Sequence, residues 1–489
     1  MNLQKLSLPE TSSKSLYALK FYVIASLLVL FLMMLAGATM RYTQGALIEV
    51  GPNIFYQLLT VHGAGMVGIS GLFSCAVMWY FLRRYVDLST NIFLANFVLF
   101  LIGVSMILGS IFLGKFAAAW TFLYPLPAKS MGIWSHHAAA MFLGGLLIIG
   151  VGFLLFYLDV TLAILKRYSN LYNAMGLHYV FSGKPLDEEH PPAVIASTMV
   201  LIINTLGIIA GAVILVMCLL NLYFPEDVLI DPLLAKNLTY FFGHVFINAS
   251  IYMAVIAVYE LLPKYTNRPW KINKLFVVAW FFSTFMVMLV YPHHLLMDFA
   301  MPKWAMIVGQ ICSYMNGFPV LLVTAYGAVT LVHRSGIKWD LTSRLLFLSM
   351  FGWVAGTIPA IIDATISVNV IMHNTMWVPG HFHFYLLLGL LPMLFAFALF
   401  ITETKTAKGT RLVDEIFFSS YLYGSLVLIG TFLLSGKDSI PRRWAQHYPE
   451  WIPISQIASI GATMVVVGTL FFVLKIILRI NKASLTADA

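Results

Sequence analysis

The chain has 489 residues, of which 60% are hydrophobic and only 10% are charged, and its mean hydropathy is +0.88. A soluble domain of this size does not sustain that balance, so the composition indicates a protein that crosses a membrane many times. The formal net charge of +9 is scattered between apolar segments, which argues against nucleic acid as a partner and for contact with a lipid bilayer.

Twelve apolar segments follow one another along the chain, and each is long enough to cross the hydrocarbon core as a helix. The predicted fold class is therefore an all-α polytopic membrane protein with about twelve transmembrane helices in a single domain, residues 1–489. Because the first 15 residues are polar and the first apolar run can span, we expect no cleavable signal peptide. The segments, called spans 1 to 12, cover roughly 17–41, 54–82, 91–115, 134–164, 193–224, 236–262, 273–293, 303–332, 343–370, 379–402, 414–435 and 453–480.

Basic residues predict the orientation of these spans. Pairs such as Arg83-Arg84 and Lys166-Arg167 follow even-numbered spans, whereas the loops after odd-numbered spans are mostly poor in Lys and Arg. The positive-inside rule then places both termini in the cytoplasm. One loop departs from the rule, because "GKDSIPRRWAQHYPEW" after span 11 puts Arg442 and Arg443 on the outer side. That exception requires a local anion for the two guanidinium groups.

Six histidines lie at one level of the predicted bundle, within roughly the outer third of the bilayer by helix rise. Ionisable side chains inside a membrane are functional by default, and imidazole is a common metal ligand. Four different spans contribute the set: His62, His244, His293, His294, His381 and His383.

The spacing within this set predicts how the ligands divide. His381 and His383 are two residues apart and point about 200° from each other on a helix, so they serve two different groups. His293 and His294 follow Pro292, where a distorted helix end can turn both toward one metal with His244 as the third ligand. His62 lies among glycines that could admit a flat macrocycle close to the backbone. The pattern predicts a six-coordinate haem, a five-coordinate haem and a copper ion.

The segment "MHNTMWVPGHFHF" and the stretch from Gly243 through "ELLPK" resemble subunit I of the haem–copper oxidase superfamily, most closely its B-type (ba3-like) branch. The resemblance covers nearly all twelve spans. It implies that His62 and His383 bind a low-spin haem and that His381 binds a high-spin haem. It also implies that the copper ion CuB has three histidine ligands: His244, His293 and His294. Three further residues would lie beside the haem propionates: His373, Arg442 and Arg443.

One position departs from the oxidase pattern. Oxidases of the A and B types have a cross-linked tyrosine four residues after the first copper ligand, and here that position is Asn248. Another branch has its tyrosine on span 7, and the matching residue here is Val287. Because one-step cleavage of O₂ uses the phenol as an electron donor, its loss favours reduction of two NO to N₂O, with Asn248 among the catalytic residues. Reduction of O₂ to water, with or without proton translocation, stays open, as does a non-redox transporter rich in histidine.

Proton and electron entry follow from the same resemblance. Tyr259 and Thr324 match a hydroxyl-lined proton path, Val255 interrupts it, and Glu260 is a candidate entrance near the inner end of span 6. No CuA-type motif occurs in the sequence, so we expect a subunit II that carries CuA or a cytochrome, with cytochrome c or a cupredoxin as electron donor. The expected location is a prokaryotic cytoplasmic membrane, with the haems and CuB toward its outer side.

Overall fold

A computed structural model describes residues 13–126, 130–182, 190–316, 318–403 and 411–480. Within these ranges the secondary structure is helical, apart from one isolated bridge between Thr375 and Pro441. Both termini, which the basic residues predict to lie in the cytoplasm, are outside the described residues.

The described residues form twelve helices that are long and apolar enough to cross a membrane, which confirms the predicted fold class. Most observed helices extend a few residues beyond the predicted apolar segments, because polar caps and interfacial residues continue the helical backbone. Spans 1 to 12 are Ser13–Gln44, Pro52–Leu82, Thr90–Leu113, His136–Tyr168, Pro192–Tyr223, Pro232–Thr266, Lys274–Leu295, Lys303–Val332, Leu341–Asp363, Trp377–Ile401, Arg411–Lys437 and Pro449–Ile480.

Several spans contain segments that are not regular α-helix. Span 3 ends in a π-helical turn at Gly109–Leu113, and span 7 ends in a 3₁₀-helix at Tyr291–Leu295. Span 10 consists of an α-helix at Trp377–His383, a π-helix at Phe384–Leu390 and an α-helix at Leu391–Ile401. Because π-helical turns inside α-helices are frequent at functional sites, the π-helix directly after His383 draws attention to span 10.

Span 9 is shorter than its predicted segment. The helix ends at Asp363, and a separate short helix at Ile366–Met372 leads toward span 10. Side chains hold the break, because the Asn369 amide donates to the backbone oxygen of Asp363 at 2.6 Å and the Gln310 side chain accepts the Ile366 N–H at 2.7 Å. Hydropathy alone did not detect this break, since the apolar residues before Asp363 and after Thr365 keep the segment hydrophobic on average.

Three spans form the centre of the bundle. The most apolar windows of spans 2, 6 and 10 are 78%, 78% and 89% buried, against 31–56% for the other nine. Span 6 begins with a capped turn, in which the Asp231 carboxylate accepts the Leu234 N–H at 2.7 Å. Spans 3 and 4 approach closely where a Cβ on Gly103 would lie 2.4 Å from the Gly145 oxygen, as small residues allow in membrane bundles. The central spans carry four of the six predicted ligands.

Candidate functional site

His62 on span 2 and His383 on span 10 face each other. Their ring centres are 6.3 Å apart and the ring planes differ by only 11°. Two metal–nitrogen bonds of about 2 Å each, together with the distance from each nitrogen to its ring centre, account for this separation. The pair therefore has the spacing that one metal ion between two imidazoles requires.

Both rings are also held in the tautomer that a metal needs. Nδ1 of His62 lies 2.7 Å from the Met33 backbone oxygen, and Nδ1 of His383 lies 2.7 Å from the Pro379 backbone oxygen. Since a carbonyl oxygen only accepts, each Nδ1 carries the proton and each Nε2 keeps a free lone pair. The donor set fits the axial ligands of a six-coordinate haem.

Glycine makes room at this pair, but at a position that the sequence did not indicate. Gly63 and Gly65, which were expected to admit a macrocycle, face the side chains of Trp120 and Met33. A Cβ on Gly37 of span 1 would instead lie 2.7 Å from the ring of His62. These contacts could not be read from the sequence, because a residue's neighbours across helices are not the residues beside it in the chain.

A second cluster joins His244 of span 6 to His293 and His294 at the end of span 7. One ligand nitrogen from each ring lies within 4.8 Å of the other two. Metal–nitrogen bonds of about 2 Å place such nitrogens within about 4 Å of each other, so small side-chain rotations suffice. The 3₁₀-helix at Tyr291–Leu295 turns the two adjacent histidines to one side, as predicted from Pro292.

The polar neighbours of this cluster distinguish its members. Ser313 of span 8 donates its hydroxyl to the Gly309 oxygen at 2.7 Å, and its Oγ lies 2.6 Å from Nδ1 of His293. The hydroxyl has one proton, so Oγ accepts from Nδ1 and leaves Nε2 of His293 free for a metal. At His244 the polar neighbour is Asn248, whose amide nitrogen lies 3.0 Å from Nδ1 and donates to the backbone oxygen of His244 at 2.8 Å.

His381 of span 10 points away from His383 and toward the end of span 9. Its Nδ1 lies 3.0 Å from Oδ2 of Asp363, and the two helices are also joined where the Trp377 indole donates to the Pro359 oxygen at 3.0 Å. The two histidines of span 10 thus point toward different neighbours, as their spacing predicted.

Arg442, Arg443 and His373 gather beside this site. Backbone contacts hold their loops together, including the hydrogen bond from the Arg442 N–H to the Asn374 oxygen at 2.9 Å. Burial and then the neighbouring charge of Arg443 lower the pKa of Arg442 to about 10, and burial and then Arg442 lower the pKa of His373. Nε of Arg442 is buried without a hydrogen-bond partner among the described residues. An anion such as a haem propionate would satisfy it, so these residues fit the group that they were expected to hold.

The residues of the expected proton path lie toward the C-terminal end of span 6 and on span 8. Tyr259 and Thr324 share a hydrogen bond of 2.7 Å between their hydroxyls, and the Trp280 indole donates to Tyr259 at 3.2 Å. Glu260 accepts from the Tyr85 hydroxyl at 2.9 Å and lies 3.5 Å from the Arg84 guanidinium.

Four residues at the site were missed from the sequence. Ser313 and Tyr240 contact copper-ligand candidates, Arg41 lies 4.9 Å above the ring of Phe432 beside the His62–His383 pair, and Asp363 contacts His381. Arg41 could have been found as an ionisable residue at the end of the first apolar segment, and Asp363 as one inside the ninth. Ser313 and Tyr240 could not have been found in this way, since hydroxyl and aromatic residues are common in membrane spans.

The chain matches known proteins over most of its length. The family described as "Cytochrome C and Quinol oxidase polypeptide I" matches residues 17–464. Cytochrome c oxidase subunit 1 of Synechocystis sp. is 25% identical over 458 residues, which cover 90% of this chain and 78% of the relative. The corresponding subunit of Thermus thermophilus is 22% identical over 349 residues, covering 67% of this chain and 57% of the relative.

Two further similarities concern a partial relative and a solved structure. The cytochrome c oxidase polypeptide 1 of Halobacterium salinarum is 26% identical over 250 residues, half of this chain, and the match spans only 41% of that longer relative. A cryo-EM structure of a haem–copper terminal oxidase dimer superimposes with a TM-score of 0.78 at 21% identity, covering 94% of this chain and 84% of that one. At this identity the superposition supports the fold alone.

Proposed function

Since the chain belongs to the family of cytochrome c and quinol oxidase polypeptide I and is a catalytic subunit I of a haem–copper oxidoreductase, we propose that it reduces two NO to N₂O and water. The reaction consumes two electrons and two protons. The family carries haem and copper, and its members work with a subunit II and cytochrome c donors.

The proposal gives each histidine one role. His62 and His383 hold the low-spin haem, and His381 holds the high-spin haem. The three remaining ligands bind CuB: His244, His293 and His294. When bound, the metal groups supply electron storage and a place for the gas. The residues described above set the ligand tautomers, orient the rings and neutralise the propionates.

The observation that carries the choice of NO is the contact between Asn248 and His244. Its amide occupies the helical turn where oxidases place their phenol, with the amide nitrogen 3.0 Å from Nδ1 of His244 and donating to the backbone oxygen of that residue. An amide hydrogen-bonds but supplies no electron. The site therefore lacks at this position the donor that four-electron cleavage of O₂ uses, whereas reduction of NO does not require it.

A second candidate function rests on Tyr240. Its ring stacks on His294 with ring centres 5.0 Å apart and planes 13° apart. This places a phenol in contact with a copper-ligand candidate, one helical turn before His244, whereas Asn248 lies one turn after it. If Tyr240 supplies the missing electron, the enzyme reduces O₂ to water.

Protons enter, in this proposal, from the cytoplasmic side near Glu260 and pass Tyr259 and Thr324. Val255 is fully buried and supplies no hydroxyl farther along span 6. We therefore propose that protons serve the reaction and are not pumped. Electrons arrive from a subunit II, or directly from cytochrome c or a cupredoxin, at the outer side of a prokaryotic cytoplasmic membrane.

Steady-state consumption of NO and of O₂ by one purified preparation tests the choice of gas. We expect NO turnover to exceed O₂ turnover, and rapid reduction of O₂ to water would overturn the proposal. Tyr240→Phe should leave NO turnover in place, with Tyr326→Phe, an exposed tyrosine of span 8, as the matched control. Loss of O₂ turnover in Tyr240→Phe alone would identify the second function.

The cofactor assignment has its own tests. Absorption spectra of the reduced protein, with and without CO, should show two haems in different spin states. Metal analysis should show copper, and a preparation that contains both haems without copper would refute the three-histidine assignment.

A further inference from the structure

Asp363 is a carboxylate in an unfavourable place. It is the last residue of span 9, where the partial negative charge of the helix terminus disfavours an anion. The residue is only 8% exposed, and a buried charge is costly unless a partner compensates it. Its position therefore calls for a specific partner.

Two side chains contact the carboxylate, one at each oxygen. The Asn369 amide donates to the backbone oxygen of Asp363 at 2.6 Å and lies 3.4 Å from Oδ1, which anchors the residue at the helix break. Oδ2 faces Nδ1 of His381 at 3.0 Å. The distance suits a hydrogen bond, but the imidazole of His381 is rotated so that its N–H does not point at Oδ2. Among the described residues, Nδ1 has no other hydrogen-bond partner.

The two histidines of span 10 therefore have different acceptors within reach. Nδ1 of His383 donates to a neutral carbonyl oxygen, that of Pro379, at 2.7 Å. Nδ1 of His381 lies beside a carboxylate. A carboxylate acceptor makes a stronger hydrogen bond than a carbonyl and raises the basicity of the ligand nitrogen on the other side of the ring. One helix thus offers two imidazoles of unequal donor strength.

We propose that Asp363 is a positioning residue that accepts the Nδ1 proton of His381 and makes Nε2 a stronger electron donor to the high-spin haem iron. The inference rests on the proposed role of His381. A stronger donor stabilises ferric over ferrous iron, so Asp363 lowers the reduction potential of that haem alone. The Pro379 carbonyl leaves the low-spin haem without this effect.

The test uses the complete enzyme with both haems and copper, and compares Asp363→Asn with wild type. Resonance Raman spectra of the reduced high-spin haem report the iron–histidine stretching band, which should move to lower frequency in the variant. In a redox titration, the ferrous-to-ferric ratio of the high-spin haem at fixed potential should rise about tenfold, which is about 59 mV for a one-electron couple. The low-spin haem should titrate as in wild type.

Controls separate this effect from structural damage. Asp159→Asn makes the same substitution at a half-buried carboxylate of span 4 that accepts the Ser89 N–H, away from the histidines, and should change neither readout. Asp363→Glu keeps the charge and should return the band and the ratio toward wild type. If Asp363→Asn does not retain its haems, Asp363→Ser, which is smaller and neutral, carries the same expectation.

The outcomes are distinguishable. A variant that retains both haems, with an unchanged band and an unchanged ratio, would overturn the role of Asp363. His381→Ala should lose the high-spin haem only. If it instead keeps that haem, the assignment of His381 fails, and the proposed function fails with it.

Discussion

Gly352 of span 9 packs directly against the π-helix of span 10, and its replacement by alanine should disturb the site from a distance. A Cβ at residue 352 would lie 2.1 Å from both the backbone carbon and the backbone oxygen of Leu388. Real Cβ contacts essentially never fall below 3.0 Å, so the two helices would have to separate by about 0.9 Å. Leu388 lies five residues after His383 on the same span, so a displacement of the backbone at Leu388 should also displace both histidines of span 10.

The magnitude follows from the atoms involved. Overpacking costs about 1–3 kcal/mol, and the upper end applies here because the atoms in contact belong to the backbone and cannot rotate away. Alanine recovers about 1 kcal/mol over glycine in a helix. We expect Gly352→Ala to destabilise the protein by about 2 kcal/mol and to weaken haem retention.

Thermal inactivation in detergent measures this effect as a half-inactivation temperature, since large membrane proteins unfold irreversibly. Haem absorption during heating reports the site. Gly430→Ala in span 11 is the matched control, because its Cβ would meet nothing within 4 Å and alanine should stabilise the helix slightly. Equal stability of the two variants would refute the packing argument.

Three further predictions concern single side chains near the site. Ser313→Ala removes the acceptor at Nδ1 of His293 and should weaken copper retention against a chelator about 10–100-fold, whereas Ser105→Ala, which loses only a bond to its own helix, should not. Arg442→Gln removes a buried charge from the propionate side and should lower the haem reduction potentials, as measured by spectroelectrochemistry; unchanged potentials would contradict an Arg442–propionate contact. Glu260→Gln should slow proton uptake during turnover, whereas Glu415→Gln, an exposed carboxylate paired with Arg344, should leave it unchanged.

The sequence by itself determined the class of the protein and the grouping of its six intramembrane histidines. Long apolar runs have few structures open to them in a membrane, because backbone groups in lipid must be satisfied within a helix. The helical period then separated His381 from His383, the distortion expected after Pro292 allowed His293 and His294 to meet, and the structure has both arrangements. These inferences used residues close together in the chain, where geometry follows from local backbone rules.

Only the tertiary structure decided which residues surround those ligands. Ser313, Tyr240 and Asp363 come within reach of histidines through helix packing, and their own segments do not show which histidine each residue contacts. The end of span 9 at Asp363 was also invisible to hydropathy, because side chains from other segments hold the break. A membrane helix forms from its own sequence, but its neighbours are selected by packing with spans distant along the chain. For that reason the grouping of the histidines could be predicted from the sequence, whereas the contacts that orient them could not.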